Sequence, residues 1–577
     1  MEPAPPEISR PGFPAEWRYP AISAALLLAA VLLIHPVVEM GMNDDWNYAY
    51  VARGLALRGH LIYHGWAEPI MIPQAFWGAL FFKALGFSFT AARISTVALA
   101  LLLVPVLYRL AREAGLKPAF ANFATLSVIL CPVFLPEAVS FMTDVPSFFF
   151  TAVCLYAALR SAKAEGGRAC WRWGLCAAAF GILAGMTRQS CWAAPLWMLA
   201  AAAWRQRRRR AALALVAAWL ATAAACAATL TWYYRQDFIP RPDLPWPGSP
   251  ALSTTTALAF LLETLAILLI PAGAMLVATS WRIFPRKWWI ASAAVTLAFA
   301  AYYESKPWHW PPRLSNTITE FGLLFFGVSP VRWRPLALAP AARIAIGVTA
   351  IACCVAMLAV LARAMGSSLR PYRDRDFGPF LWLGAPWAAV VVFASVARST
   401  VFDRYLIPVL PVALILMLWV YQRESGKRVP LAAWALLALF AAFGAAITHD
   451  AFASARARLQ AAESLVARGI PRTEIMVGLE YDAWTQLEFN GHVNDPRVQS
   501  PNYAYRPIAA CTGPSDLRIW YRLWLPDLQP RYFVAEDRLR SLAPSSNSQV
   551  TYRQWLPPVE RHFSIYTLPD QSALQCY

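Results

Sequence analysis

Apolar runs of about 20 residues recur along this chain, and nothing else in the sequence restricts its fold so severely. Inside a bilayer every backbone N–H and C=O must be bonded within its own segment, so such runs become helices. Reading them gives thirteen spans, at roughly 21–40, 91–110, 119–136, 141–160, 173–187, 190–204, 211–234, 255–279, 288–303, 341–364, 379–397, 404–421 and 430–448. Only 15% of the residues are charged and 58% are hydrophobic, whereas soluble proteins average about 25% charged. The expected class is an all-α polytopic membrane protein. Its 26 Trp and 21 Tyr fit the aromatic belts of bilayer interfaces.

A net charge of +18 could point to nucleic acid, but the basic residues fall between the apolar runs. They are read as topology signals, and nucleic acid is not an expected partner. With residues 1–20 placed in the cytoplasm, the inside loops carry Arg109, Arg112 and Lys117, then Arg160, Lys163, Arg168 and Arg172. "RQRRRR" (Arg205 to Arg210) follows, and later inside loops are basic too, around Arg286, Arg373 and Arg423. This is the positive-inside pattern, with the amino end in and the carboxyl end out. Met1 to Pro20 lacks the basic start and cleavage site of a signal peptide, so the first span is expected to be retained.

That topology puts the stretch Gly41 to Thr90 outside, directly after the first span. Within it, "WNYAYVARGLAL" sets Tyr48, Val51, Leu55 and Leu57 roughly along one helical face, and "PQAFWGALFFKALG" is a second such piece. Both are expected to be helices lying in the outer interface. Residues 449–577 change character. Ala451 to Gly469 has helical spacing, and "EIMVGL", "RYFVAE" and "FSIYTL" read as strands, giving a small extracytoplasmic α/β domain after the membrane domain of residues 21–448. "GLEYDAWTQLEFNG" (Gly478 to Gly491) could hold a sugar chain, but a packed strand–helix corner is the preferred reading. Eight of the ten cysteines lie in or beside the spans and read as packing residues. Cys511 and Cys576 are the two in the outside tail, where an oxidising compartment would allow them to pair.

The polar residues at span ends on the outside face are Asp44 and Asp45; Thr143 and Asp144; Arg188 and Gln189; Glu304, Lys306 and His309; and Asp403, Arg404 and Tyr405. Any one of them alone is a common snorkelling anchor. Gathered on one membrane face, they form a set that is costly to keep there and points to function. A carboxylate there can take a proton from a hydroxyl or amine. Arg, Lys and His can hold a phosphate as it leaves. No Gly-rich phosphate loop is present, which agrees with a lipid-borne donor rather than a nucleotide.

These residues also carry a resemblance. "DDWNYAYVARGLALRG" resembles the first outer loop of the GT-C fold glycosyltransferases that use a polyprenyl-phosphate-linked sugar. That group includes the protein O-mannosyltransferases, the lipid A aminoarabinose transferases and the RgtA/B/C/D-like enzymes. Asp44, Asp45, Tyr48, Ala49 and Gly59 match the loop, "TDVP" resembles the second carboxylate motif, and "DRYLIPVLP" is similar to the late "RY-x-x-P" element. The resemblance covers most of residues 20–450 and implies an integral protein of the bacterial inner membrane. It implies Asp44 as the catalytic base, Asp45 as the residue orienting it or the acceptor, and Asp144 as a residue that helps build the site or holds a cation. Arg188 and Arg404 are expected to grip the donor phosphate, with Lys306 and His309 closing over it. Tyr48, Glu304, Asp403 and Tyr405 are expected nearby. The implied reaction is inverting transfer of a hexose or pentose to a lipid, glycan or protein, with any need for a divalent cation left open. The rival readings are a transporter or flippase of lipid-linked sugars, which would prefer midplane charges and two related halves, and a receptor whose tail does the work.

Overall fold

The computed structural model describes residues 15–66, 69–239, 254–280, 286–305, 317–319, 322–323, 337–366, 371–397, 402–424, 428–502, 504–505, 521–536, 542, 544 and 549–568. Lys306, His309, Cys511 and Cys576 lie outside the described residues, as does any pairing of the two cysteines.

Helices dominate the chain. In order they are α1 (Arg18–Ile34), α2 (Asp45–Arg58), α3 (Ile72–Leu85), α4 (Phe89–Glu113), α5 (Pro118–Ile129), α6 (Phe134–Ala138), α7 (Asp144–Lys163), α8 (Gly167–Thr187) and α9 (Ala193–Arg205). There follow α10 (Ala211–Tyr233), α11 (Thr254–Leu268), α12 (Ile270–Ser280), α13 (Arg286–Glu304), α14 (Pro340–Gly366), α15 (Phe377–Ala397), α16 (Leu410–Glu424), α17 (Leu431–Val466) and α18 (Leu479–Asn490). Among the described residues, eight helices are long and apolar enough to cross a membrane, against the thirteen spans expected. The runs at 21–40, 119–136 and 190–204 fold as helices of 17, 12 and 13 residues, and the run at 255–279 divides into α11 and α12. The run at 404–421 starts as a 3-10 segment, Asp403–Val409, because Pro408 and Pro411 follow so closely that a regular helix can settle only from Leu410.

Several loops expected in the cytoplasm meet at one end of the bundle. Lys163 reaches Glu113 at 3.0 Å and Asp376 at 2.8 Å, Arg375 pairs with Glu165 at 2.8 Å, and Arg423 pairs with Asp374 at 2.8 Å. Arg112 pairs with Glu16 at 2.9 Å, which brings the amino-terminal segment to the same end.

At the other end, α2 and α3 pack on each other beneath the tail. The α2 residues Trp46, Val51 and Leu55 share one apolar core with Trp484, Leu487, Tyr521 and Phe533 of the tail. Leu57 does not join that face and is 71% exposed. The tail is bound to the membrane part in a second way. Helix α17 runs unbroken for 36 residues across the expected boundary at 448/449, because "THDAFASARARLQAAESLV" holds no Gly or Pro to stop it. Its upper half carries a four-stranded sheet of β3 (Ile475–Met476), β4 (Tyr532–Ala535), β5 (Val550–Trp555) and β6 (Pro558–Thr567), in the order β3-β4-β6-β5 with β3 and β4 parallel. The stretch "GLEYDAWTQLEFNG" is the expected packed corner, with β3 leading into the largely buried α18.

Candidate active site

The paired acids do different jobs. Asp45 opens α2 and is fully buried. It accepts the backbone N–H of Met42 at 2.6 Å and of Phe141 at 3.2 Å, and Arg93 of α4 lies 3.9 Å away. The guanidinium of Arg93 also donates to the carbonyls of Val38 and Met40. Asp45 therefore ties the incoming loop to the segment before α7. Burial raises its carboxyl to about 6, against the opposing pull of Arg93 and the two backbone N–H groups. Asp44, at the α2 N-cap position, is only partly buried and accepts the indole N–H of Trp66 at 3.1 Å.

"TDVP" forms the start of α7. Asp144 there suits the positive end of a helix, and Pro146 falls in the first turn, where a missing N–H costs nothing. Arg188 follows α8 directly. A Cβ on Gly185 would meet the Trp192 ring at 2.2 Å, so the bare glycine lets the chain fold back there. That turn brings Arg188 Nη1 to Asp144 Oδ1 at 2.5 Å. Arg404 approaches the other oxygen, with Nε 3.8 Å from Asp144 Oδ2. The Arg188 guanidinium lies over the Tyr405 ring at 4.4 Å, and that of Arg404 lies 5.8 Å from the same ring. Residues from α7, the end of α8 and the start of the Asp403–Val409 segment thus meet at one point. It is the end of α7, α8 and α16 opposite the ion-paired loops.

Tyr48 joins Asp44 to this group. Its buried phenol is raised well above its ordinary value by burial and by Asp44 and Asp144, while Arg404 and Arg188 oppose that rise. Asp403 is also buried, but its carboxylate is engaged by the N–H groups of Thr317 at 3.0 Å, Ile318 at 3.0 Å and Arg404 at 2.8 Å. These contacts anchor the short β-ladder of residues 318–319 and 322–323. Glu304 ends α13.

Glu137 was not among the expected site residues. It sits on α6, 2% exposed, with Oε2 unpartnered, and burial followed by Asp144 raises its carboxyl well above the ordinary range. The signal was present: an acid inside the run "CPVFLPEAVSF" is costly and wants a reason. Trp66 was missed as well, and nothing in its local sequence marks it.

Among the described residues no three His, Cys, Asp or Glu side chains gather as a metal-binding group. Asp144 faces Arg188 and Arg404. A separate small pocket, lined by Asp450, Ser454, Glu536, Tyr552 and Arg561 among others, includes none of the expected site residues.

Neither a protein-family model nor a curated protein matches the sequence. Solved structures similar to the chain include ArnT from Cupriavidus metallidurans, at 14% identity and a TM-score of 0.39, covering 97% of this chain and 99% of that one. The oligosaccharyltransferase of Archaeoglobus fulgidus is similar at 13% identity and a TM-score of 0.39, covering 89% of this chain and 64% of that one. The S. cerevisiae protein O-mannosyltransferase complex Pmt1-Pmt2, bound to the sugar donor, is similar at 14% identity and a TM-score of 0.32. That match covers 39% of this chain, which spans about a third (34%) of the yeast chain.

Proposed function

We propose that the protein is a membrane glycosyltransferase that moves a sugar from a polyprenyl-phosphate donor to a hydroxyl or amine of an extracytoplasmic lipid, glycan or protein. The observation that carries this reading is the convergence of Arg188 and Arg404 on Asp144, beside Tyr48 and the half-open Asp44. Two arginines held by one buried carboxylate keep a net positive charge, which suits a phosphate at the bilayer edge. Asp144 spaces them, and Tyr405 supports Arg188 from beneath its ring. Lys306 and His309 are assigned to the same phosphate on charge alone.

The reaction is a direct displacement. Asp44 takes the proton of the acceptor group, whose oxygen or nitrogen bonds to the anomeric carbon with inversion. The bond from that carbon to the phosphate oxygen breaks, and the phosphate leaves with the electron pair. Arg188 and Arg404 stabilise its growing charge. Tyr48, held protonated by its burial, keeps its O–H in the same cluster of charges. Asp45 shapes the turn that presents Asp44.

Transfer from a polyprenyl-phosphate sugar to membrane acceptors, compared between wild type and Asp44→Asn, tests the assignment. Loss of a general base lowers the rate by about 10²–10⁴-fold. Equal transfer by both proteins would remove Asp44 from the mechanism.

A further inference from the structure

We propose that Trp66 and Trp524 form a saccharide-binding subsite beside Asp44, built jointly by the outer loop and the carboxyl-terminal region. Given the transferase reading above, this is where a sugar of the acceptor sits, so the acceptor class is a glycan or glycolipid.

Four observations carry the assignment. The two indole rings stand 4.9 Å apart at 67°, which makes two walls of a corner rather than a flat stack. Both are only partly buried. Trp66 is held in place because its N–H is spent on Asp44 at 3.1 Å and its ring packs against Trp46, with centroids 5.7 Å apart at 42°. The corner is also held from both sides of the chain. Val493 N–H donates to the His64 carbonyl and Asn494 N–H donates to the Trp524 carbonyl, each at 2.9 Å. Gly65 makes this close docking available: its φ is +101°, and a Cβ there would come within 2.6 Å of the Val493 oxygen.

The chemistry of the corner selects its occupant. An indole face is electron-rich and attracts the polarised C–H groups of a sugar ring. Asp44, at the edge of the same corner, accepts a hydroxyl hydrogen, and its negative charge disfavours a phosphate there. A sugar is the ligand that offers an apolar face and hydroxyls from one ring. Stacked in this corner, it would point a hydroxyl at Asp44, the proton acceptor of the reaction.

The test uses full-length protein in lipid nanodiscs. Saturation-transfer NMR is recorded with methyl β-D-glucopyranoside, methyl β-D-galactopyranoside and methyl α-D-mannopyranoside, and binding of undecaprenyl phosphate is measured in parallel. At least one glycoside is expected to receive saturation through its ring C–H groups. Trp524→Ala is expected to weaken that binding by about three- to tenfold and to leave undecaprenyl phosphate binding within about twofold, which also shows that the variant is folded. Should Trp524→Ala fail to fold, Trp524→Phe keeps a smaller ring and is expected to fall between the two. Absence of glycoside binding to wild type, or equal binding by wild type and Trp524 variants, overturns the proposal. If glycosides bind through Trp524 while undecaprenyl phosphate does not bind at all, the saccharide subsite stands and the lipid-phosphate donor falls.

Discussion

Asp44 and Asp45 are adjacent in sequence yet differ in burial, Asp45 being enclosed and Asp44 only partly so. Asp45 finds two backbone N–H groups and Arg93, and it disappears into the protein. Asp44 accepts the indole N–H of Trp66 and keeps part of its surface open. The sequence "DD" announced that an acid pair mattered, but which acid turns inward depends on Phe141 and Arg93, 96 and 48 residues away. The buried Asp482 gives a prediction at this scale. It accepts Val477 N–H at 2.9 Å and the Tyr521 hydroxyl at 2.8 Å, yet burial lifts its carboxyl from 3.8 to about 7. The folded state then holds a proton that the unfolded chain releases, so stability falls as pH rises from about 4 to 7 and is level above. The slope is at most about 1.4 kcal/mol per pH unit. Thermal unfolding across that range is expected to show the fall in wild type and a shallower one in Asp482→Asn.

Helices were legible where one uninterrupted apolar run fills them. The spans at 91–110, 141–160 and 211–234 appear as α4, α7 and α10 with shifted ends. The expected border at 448/449 was drawn from a change in hydropathy, but backbone continuity follows helix propensity, and Ala-rich sequence carries α17 straight through it. The sheet then docks where polarity begins. Asp450 accepts the N–H groups of Trp555 at 2.7 Å and Leu556 at 2.9 Å, and His449 stacks on Trp555 at 3.6 Å. Asp450→Ala leaves two N–H groups without their acceptor and is expected to cost about 2–3 kcal/mol. Limited proteolysis should then cut near residue 555 faster than in wild type, and unchanged cutting would show that the turn docks without Asp450.

For the molecule as a whole, the two ends of the bundle carry opposite characters. One end joins basic loops by ion pairs, and the other gathers Asp44, Asp144, Arg188 and Arg404 under the tail. Loop charge made the separation of ends readable, because charge sign is a local property of each loop. The shared core of α2, α3 and the tail was not readable, since it depends on contacts across more than 400 residues. Cysteines introduced at Leu57 and at Arg208 are expected to react with an impermeant label from opposite sides of the membrane, and reaction from one side would break the orientation. The most direct test of the central claim is an experimental structure with undecaprenyl phosphate bound. The account predicts the phosphate oxygens within about 3 Å of the Arg188 and Arg404 guanidinium groups, with Asp44 facing the space beyond. A phosphate seated elsewhere, with those two arginines still closed on Asp144, would contradict it.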